Sequence, residues 1–141
     1  TRILEAVVDE SGAWIPMVPV ITIQPRRRTD LWRAAAVLLS PVASAWAARH
    51  YGSVGLSTGA IKLSAKQAME VPVPLPGAAW NRAAKLLARM KTGGPAQEAT
   101  LVQAGTLMNR AYGVRAPDSA RLLKWWRRGM RSGVADRIER D

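Results

Sequence analysis

Apolar and polar positions change rhythm twice along the 141 residues. From Arg2 to Val8 and from Ala13 to Ile23, β-branched and apolar residues flank Asp9-Glu10-Ser11-Gly12, a pattern that predicts strand, turn and strand. Pro16 and Pro19 have no amide hydrogen for a ladder, so the second strand is expected at an edge or broken by a bulge. Gln24 to Arg28 follows as a basic connector. Leu31, Trp32, Ala35, Leu38 and Leu39 then recur at helical spacing, with Thr29 or Asp30 placed to cap. Ser40-Pro41 stops that helix and starts another, because a Ser cap followed by Pro at the first helical position favours a restart. The second helix is predicted from Pro41 to about Tyr51, ending at Gly52. Gly52 to Gly59 is a polar loop and Ile61 to Leu63 a short strand. Ser64-Ala65-Lys66-Gln67 has capping-box spacing and predicts one helical turn.

Val71-Pro72-Val73-Pro74-Leu75-Pro76 marks the clearest boundary, since each residue before a proline is pushed out of helical space. Beyond it the rhythm is helical throughout. Three helices are predicted: Ala78 to Lys91 ending at Thr92-Gly93-Gly94, Ala96 to Tyr112 ending at Gly113, and Asp118 to Arg128 ending at Gly129. The expected fold class is α+β: a small irregular sheet from residues 2–23 and 60–63 with helices, followed by a helical C-terminal half. The domain division is an α/β region at 1–76, a helical region at 77–130 and a frayed charged tail at 131–141. The chain opens at Thr1 without Met and enters a strand-like pattern at once, so a piece of a longer protein is expected.

Charge alters the picture more than overall composition does. Twenty-one Lys and Arg against 10 Asp and Glu give a formal net charge of +11, which favours a polyanionic partner, nucleic acid or an acidic membrane surface. Residues 1–25 carry one Arg and three acids, whereas residues 26–117 carry 13 bases and three acids. The middle of the chain is therefore the electrostatic face. The uncharged helical stretch Ala34 to Ala48 falls about five residues short of a membrane span and contains Ser40-Pro41. With no basic, apolar leader at its start either, the chain is expected in the cytoplasm and off the membrane.

Catalytic chemistry finds no foothold in the residues. There is no Cys and a single His, so neither a disulfide framework nor a zinc site is expected. His50, beside Arg49 on an Ala-rich helix, reads as a helix-end surface residue rather than a general base. Gly52, Gly55 and Gly59 match neither a phosphate-binding loop nor a dinucleotide fingerprint, and carboxylates are too sparse to pair. Trp125-Trp126 lies among Lys124, Arg127 and Arg128, where rings could stack on unpaired bases; docking of a terminal helix by its apolar side is the favoured account.

Several segments together resemble the C-terminal target-recognition (specificity) region of bacterial N-6 adenine-specific DNA methyltransferases of restriction-modification and phage-defence systems. The resemblance is carried by Val37-Leu38-Leu39-Ser40-Pro41-Val42, Gly55-Leu56-Ser57-Thr58-Gly59-Ala60, Ile61-Lys62-Leu63-Ser64-Ala65-Lys66-Gln67 and Val71-Pro72-Val73-Pro74-Leu75-Pro76. Glu5-Ala6-Val7-Val8-Asp9, Ala111-Tyr112-Gly113-Val114 and Trp125-Trp126 also resemble one bacterial branch. In that family an upstream Rossmann-like domain binds S-adenosylmethionine and carries an Asn-Pro-Pro-Tyr type motif, and neither is present here. The resemblance thus implies a non-catalytic fragment without its own cofactor, partnered by double-stranded DNA and by the upstream methyltransferase domain of the same polypeptide. Abundant Ala, Arg, Gly and Pro with no Phe point to a high-GC bacterial source.

The candidate DNA-binding residues are Arg26, Arg27, Arg28, Ser57, Thr58, Lys62 and Lys66. A Gly-flanked loop can approach a groove closely, Ser and Thr hydroxyls can meet base edges, and the lysines can reach guanine acceptors or phosphate. Each has a plainer alternative: the arginines keep a connector soluble, Gly59 forms a turn, and Ser64 to Gln67 caps a helix. The competing function is a small basic scaffold or assembly protein that binds another protein or RNA, with a membrane-surface protein third.

Overall fold

The computed structural model describes residues 3–52, 61–90 and 94–138. Among the described residues an N-terminal arm is followed by six α-helices: α1 (Leu31–Leu38), α2 (Pro41–Tyr51), α3 (Ala65–Ala68), α4 (Ala78–Ala88), α5 (Gly94–Ala111) and α6 (Ala116–Ile138). Helices α4 and α5 pack against each other as a hairpin, α1 lies across both, and α2 wedges against α5 and α6. Elements on either side of Pro76 therefore share one core, built from Ala36, Val37, Ala43, Val71, Trp80, Ala83, Leu87, Ala104 and Met108.

Local chemistry sets most helix ends. Ser40 accepts a hydrogen bond from the Ala43 amide at 3.1 Å, and Pro41 takes the first position, where a missing N–H costs nothing. The chain bends by 62° there. Around α3 both capping-box bonds form: the Ser64 amide donates to Gln67 Oε1 at 2.8 Å, and the Gln67 amide donates to Ser64 Oγ at 3.3 Å. Helix α5 closes on Gly113, whose φ of +72° supports a Schellman motif in which Val114 N–H reaches the Asn109 carbonyl and Gly113 N–H that of Arg110. Asp30 departs from expectation, since it makes no side-chain cap bond and instead pairs with Arg33 at 3.4 Å.

The expected α+β fold is overturned: among the described residues there is no strand, and the architecture is all-α. The turn at Asp9-Gly12 does form. Asp9 accepts from the amides of Ser11, Gly12 and Trp14 and from the Ser11 hydroxyl, and Gly12 takes a φ of +71°. The flanking segments form no strand, and the second bends at a turn where Val20 N–H donates to the Met17 carbonyl. Pro16 and Pro19 remove two donors, and residues 11–20 are all exposed, so no apolar face packs to stabilise a lone hairpin. Ile61 to Leu63, likewise, forms no strand.

The final helix also differs from the prediction. Gly129 does not stop α6, which begins at Ala116 and runs through Ile138. A glycine costs about 1 kcal/mol in a helix interior, but this one makes room for the arm: a Cβ there would lie 2.4 Å from Ile3 Cγ2. Leu4 N–H donates to the buried Ser44 hydroxyl at 3.0 Å, so the start of the arm is tied to α2 as well as α6. The predicted stop at Thr92-Gly93 lies outside the described residues.

At the centre, α2, α5 and α6 meet over a single small residue. A Cβ on Gly105 would stand 3.1 Å from Pro41 Cγ and 3.2 Å from Trp126 Cζ3, and Trp126 is 1 % exposed. Gly105→Val is expected to lower stability by about 1–3 kcal/mol through overpacking, and Trp126→Ala by about 3–5 kcal/mol through loss of a buried ring, both read from urea melts. Gly129→Ala should instead spare the helical core and release the arm. Limited proteolysis would show this as faster cleavage between residues 3 and 27, and unchanged cleavage would refute the Ile3 contact.

Candidate nucleic-acid interface

Arg26, Arg27 and Arg28 are exposed on the connector that leads into a 3-10 turn over Arg28–Asp30. Arg28 is partly committed: its Nη2 donates to the Glu10 carbonyl at 2.6 Å, while the Glu10 carboxylate accepts from Trp32 Nε1 at 2.6 Å. The two bonds close a neck between the arm and α1. Arg26 and Arg27 remain exposed beside it, their cationic heads open to an anion.

Lys62 and Lys66 are both exposed, Lys62 on the extended approach to α3 and Lys66 within it. A clasp between the end of α2 and the residues after α3 holds this region, because Tyr51 donates its hydroxyl to Glu70 Oε2 at 2.7 Å. The carboxylate beside it raises the Tyr51 pKa above the usual phenol value. Ser57 and Thr58 lie outside the described residues. His50 is exposed at the end of α2, with Nδ1 2.8 Å from the Trp46 carbonyl and its ring 4.7 Å from that of Trp46, as expected of a helix-end histidine.

A basic stripe on α4 was missed by the sequence reading. Arg82, Lys85 and Arg89 recur at helical spacing and are exposed, opposite the buried Trp80, Ala83, Ala84 and Leu87. The signal was present in Asn81 to Arg89, but it emerges only when that window is treated as one helix face. Helix α4 is anchored to α1 by Trp80, whose Nε1 donates to the Arg33 carbonyl at 2.9 Å and whose ring lies 4.4 Å beneath the Arg33 guanidinium. On α6, Trp126 is buried and Trp125 half-buried, which agrees with docking of this helix. Arg127 there pairs with Glu98 at 3.1 Å, beside an open groove of about 420 Å³ between α5 and α6.

Beneath this surface, Tyr112 ties the Pro-rich strap to α5 by donating to the Pro72 carbonyl at 2.7 Å. Burial pushes its pKa up to about 12, with the Ser40 hydroxyl acting in the opposite sense. Among the described residues no group of three or more His, Cys, Asp or Glu side chains is placed to hold a metal ion. No single helix among them is long and apolar enough to cross a membrane; the α1 and α2 segments reach the length only as a bent pair. Comparison of the chain with family models, with curated proteins and with solved structures gave no match.

The Tyr112 environment has a measurable consequence. The folded state favours the protonated phenol, so its contribution is complete below the ordinary value of 10.0 and is lost as pH rises through about 12. Urea midpoints should fall between pH 9 and pH 11, and less in Tyr112→Phe than in the parent, while at pH 8 the variant should be about 1 kcal/mol less stable for want of its hydrogen bond. Parallel falls in the two proteins would show that the hydroxyl is not held as described.

Proposed function

We propose that this chain binds double-stranded DNA, as the target-recognition part of an N-6 adenine-specific DNA methyltransferase. The observation that carries the reading is the exposed cation set on three segments, none of it in a described ion pair. Arg26 and Arg27 on the connector, Lys62 and Lys66 around α3, and Arg82, Lys85 and Arg89 on α4 are all exposed. The ion pairs formed among the described residues use other bases, Arg33 and Arg127. Cations left free of carboxylates can displace counterions from a phosphate backbone. The sequence resemblance over Leu31 to Pro76 supplies the family, and the duplex-gripping role fits an enzyme class that must extrude its target base.

In this reading methyl transfer belongs to an upstream domain of the same polypeptide, which binds S-adenosylmethionine. The 141 residues position the duplex and read its sequence. Ser57 and Thr58 contact base edges, Lys62 and Lys66 contact guanine acceptors or phosphate, and Arg26 to Arg28 contact phosphate. The alternative, a basic assembly protein, draws on the exposed apolar side chains of Trp14 to Val20. Salt dependence on duplex DNA separates the two.

Fluorescence anisotropy on a 30-base-pair duplex should give an affinity that drops steeply between 50 and 200 mM salt. Each phosphate contact removed should reduce the log–log slope by about 0.9, so the combined Arg26→Ala, Arg27→Ala and Arg28→Ala variant should lose up to about three such steps. Lys62→Ala with Lys66→Ala should lose about two. Within the complete methyltransferase, Ser57→Ala with Thr58→Ala should shift the methylated sequence, while the lysine variants weaken binding without changing it. An affinity indifferent to salt would defeat the proposal.

A further inference from the structure

Five of the nine exposed large apolar side chains among the described residues, including the two most exposed, Val18 and Ile15, occupy one short stretch of the arm; Val7, Met69, Val73 and Leu75 are scattered elsewhere. Trp14 is 62 % exposed, Ile15 89 %, Met17 78 %, Val18 96 % and Val20 63 %, an accumulation that a surface facing only water does not favour. No charged residue interrupts residues 11–25. The stretch is also built rather than trailing. Its base is closed by the Arg28 bond to the Glu10 carbonyl and the Trp32 bond to the Glu10 carboxylate. Asp9 fixes the outgoing turn through four bonds, which hold its carboxyl below the usual carboxylate range. At the tip, Val20 N–H donates to the Met17 carbonyl at 2.9 Å. Pro16 and Pro19 flank Met17 and Val18, so the tip has little backbone freedom left to lose on binding.

We propose that Ile15 to Val18 form an apolar wedge that enters between base steps of the bound duplex while Arg26 and Arg27 sit on the flanking phosphates. The inference rests on the DNA reading given above. Its support is complementarity on both parts of the loop: an uncharged aliphatic tip suits the stacked interior of DNA, and the guanidinium groups at the neck suit its anionic rim. Ile, Met and Pro are among the side chains that wedge between bases in proteins that bend DNA, where partial unstacking is offset by the contacts that the bend permits. A step already unstacked also lowers the cost of extruding a neighbouring base. The loop thereby acquires a role in preparing the substrate as well as in gripping it.

The test uses the 141-residue chain on duplexes that carry 2-aminopurine at several positions and a donor–acceptor dye pair at the ends. At saturation the parent should raise 2-aminopurine emission at least twofold and change the end-to-end energy transfer. The variant Ile15→Ser, Met17→Ser, Val18→Ser alters only exposed side chains and should keep the parent's thermal midpoint. It should bind within about threefold of the parent with the same salt slope, and lose both optical changes. If parent and variant unstack DNA equally, or if the parent binds with no optical change, the wedge is overturned and the DNA reading stands. If the parent shows no salt-dependent binding, the DNA reading falls and the wedge with it. Two further outcomes would overturn the wedge by assigning the loop elsewhere: cosedimentation with phosphatidylserine vesicles lost in the variant, or a parent dimer that the variant converts to monomer in sedimentation velocity.

Discussion

The close approach of Pro41, Gly105 and Trp126 is the constraint on which the rest of the molecule depends. Helix α2 can rest on α5 only because position 105 has no side chain, and Trp126 fills the remaining space from α6. The α2 face that enters this junction is made of Pro41, Ala43, Ser44 and Ala47, small enough for backbones to come near. The bend at Ser40-Pro41 brings that face inward. Ser40 is fully buried, so its hydroxyl must be used, and capping Ala43 uses it. The same junction sets the arm, since Ser44 on α2 accepts from Leu4 and Gly129 on α6 receives Ile3. One packing solution therefore fixes three helices and the start of the segment that precedes them.

What could be read from sequence was what short-range chemistry decides. The Ser40-Pro41 restart, the Ser64-Gln67 capping box, the turn at Asp9-Gly12 and the Gly113 terminus are each written in two to six adjacent residues, and each forms as its residues dictate. The sheet was not legible in the same way. β-branched residues at 2–8 and 13–23 mark a backbone that prefers to be extended, but a sheet exists only if a second strand and a buried face are available. Gly129 misled for a related reason: a glycine that ends a helix and one that admits a neighbour look alike until Ile3 is placed beside it. The anchor of α4 on α1 is similarly distant in sequence, because Trp80 finds the Arg33 carbonyl across 47 positions.

At the surface, sequence reasoning located the runs of charge better than their faces. Arg26 to Arg28 are adjacent in the chain and were visible at once. Arg82, Lys85 and Arg89 are separated by apolar residues, so the stripe appears only after Ala83, Ala84 and Leu87 are known to point inward. The Trp125-Trp126 pair shows the converse. Adjacent rings on a helix lie about 100° apart, and here that geometry buries Trp126 in the core while leaving Trp125 half-covered beside the bases of α6.

The distribution of carboxylates explains why so much positive charge stays unneutralised. Asp9 is occupied by turn amides, Glu10 by Trp32 and Glu70 by Tyr51, and only Asp30 and Glu98 meet a cation in a described ion pair. Three of these acids, Asp9, Glu10 and Glu70, thus accept from neutral donors that fix the arm, the neck and the α2–α3 clasp. None of them forms a described ion pair with Arg26, Arg27, Lys62, Lys66 or the α4 stripe. A net charge of +11 on 141 residues imposes self-repulsion on the compact state. A polyanion that pairs with those exposed cations relieves that repulsion, and it raises folding stability by linkage to the extent that it binds the folded form more tightly than the unfolded chain. The same placement of acids that holds the scaffold together therefore leaves it electrostatically incomplete on its own.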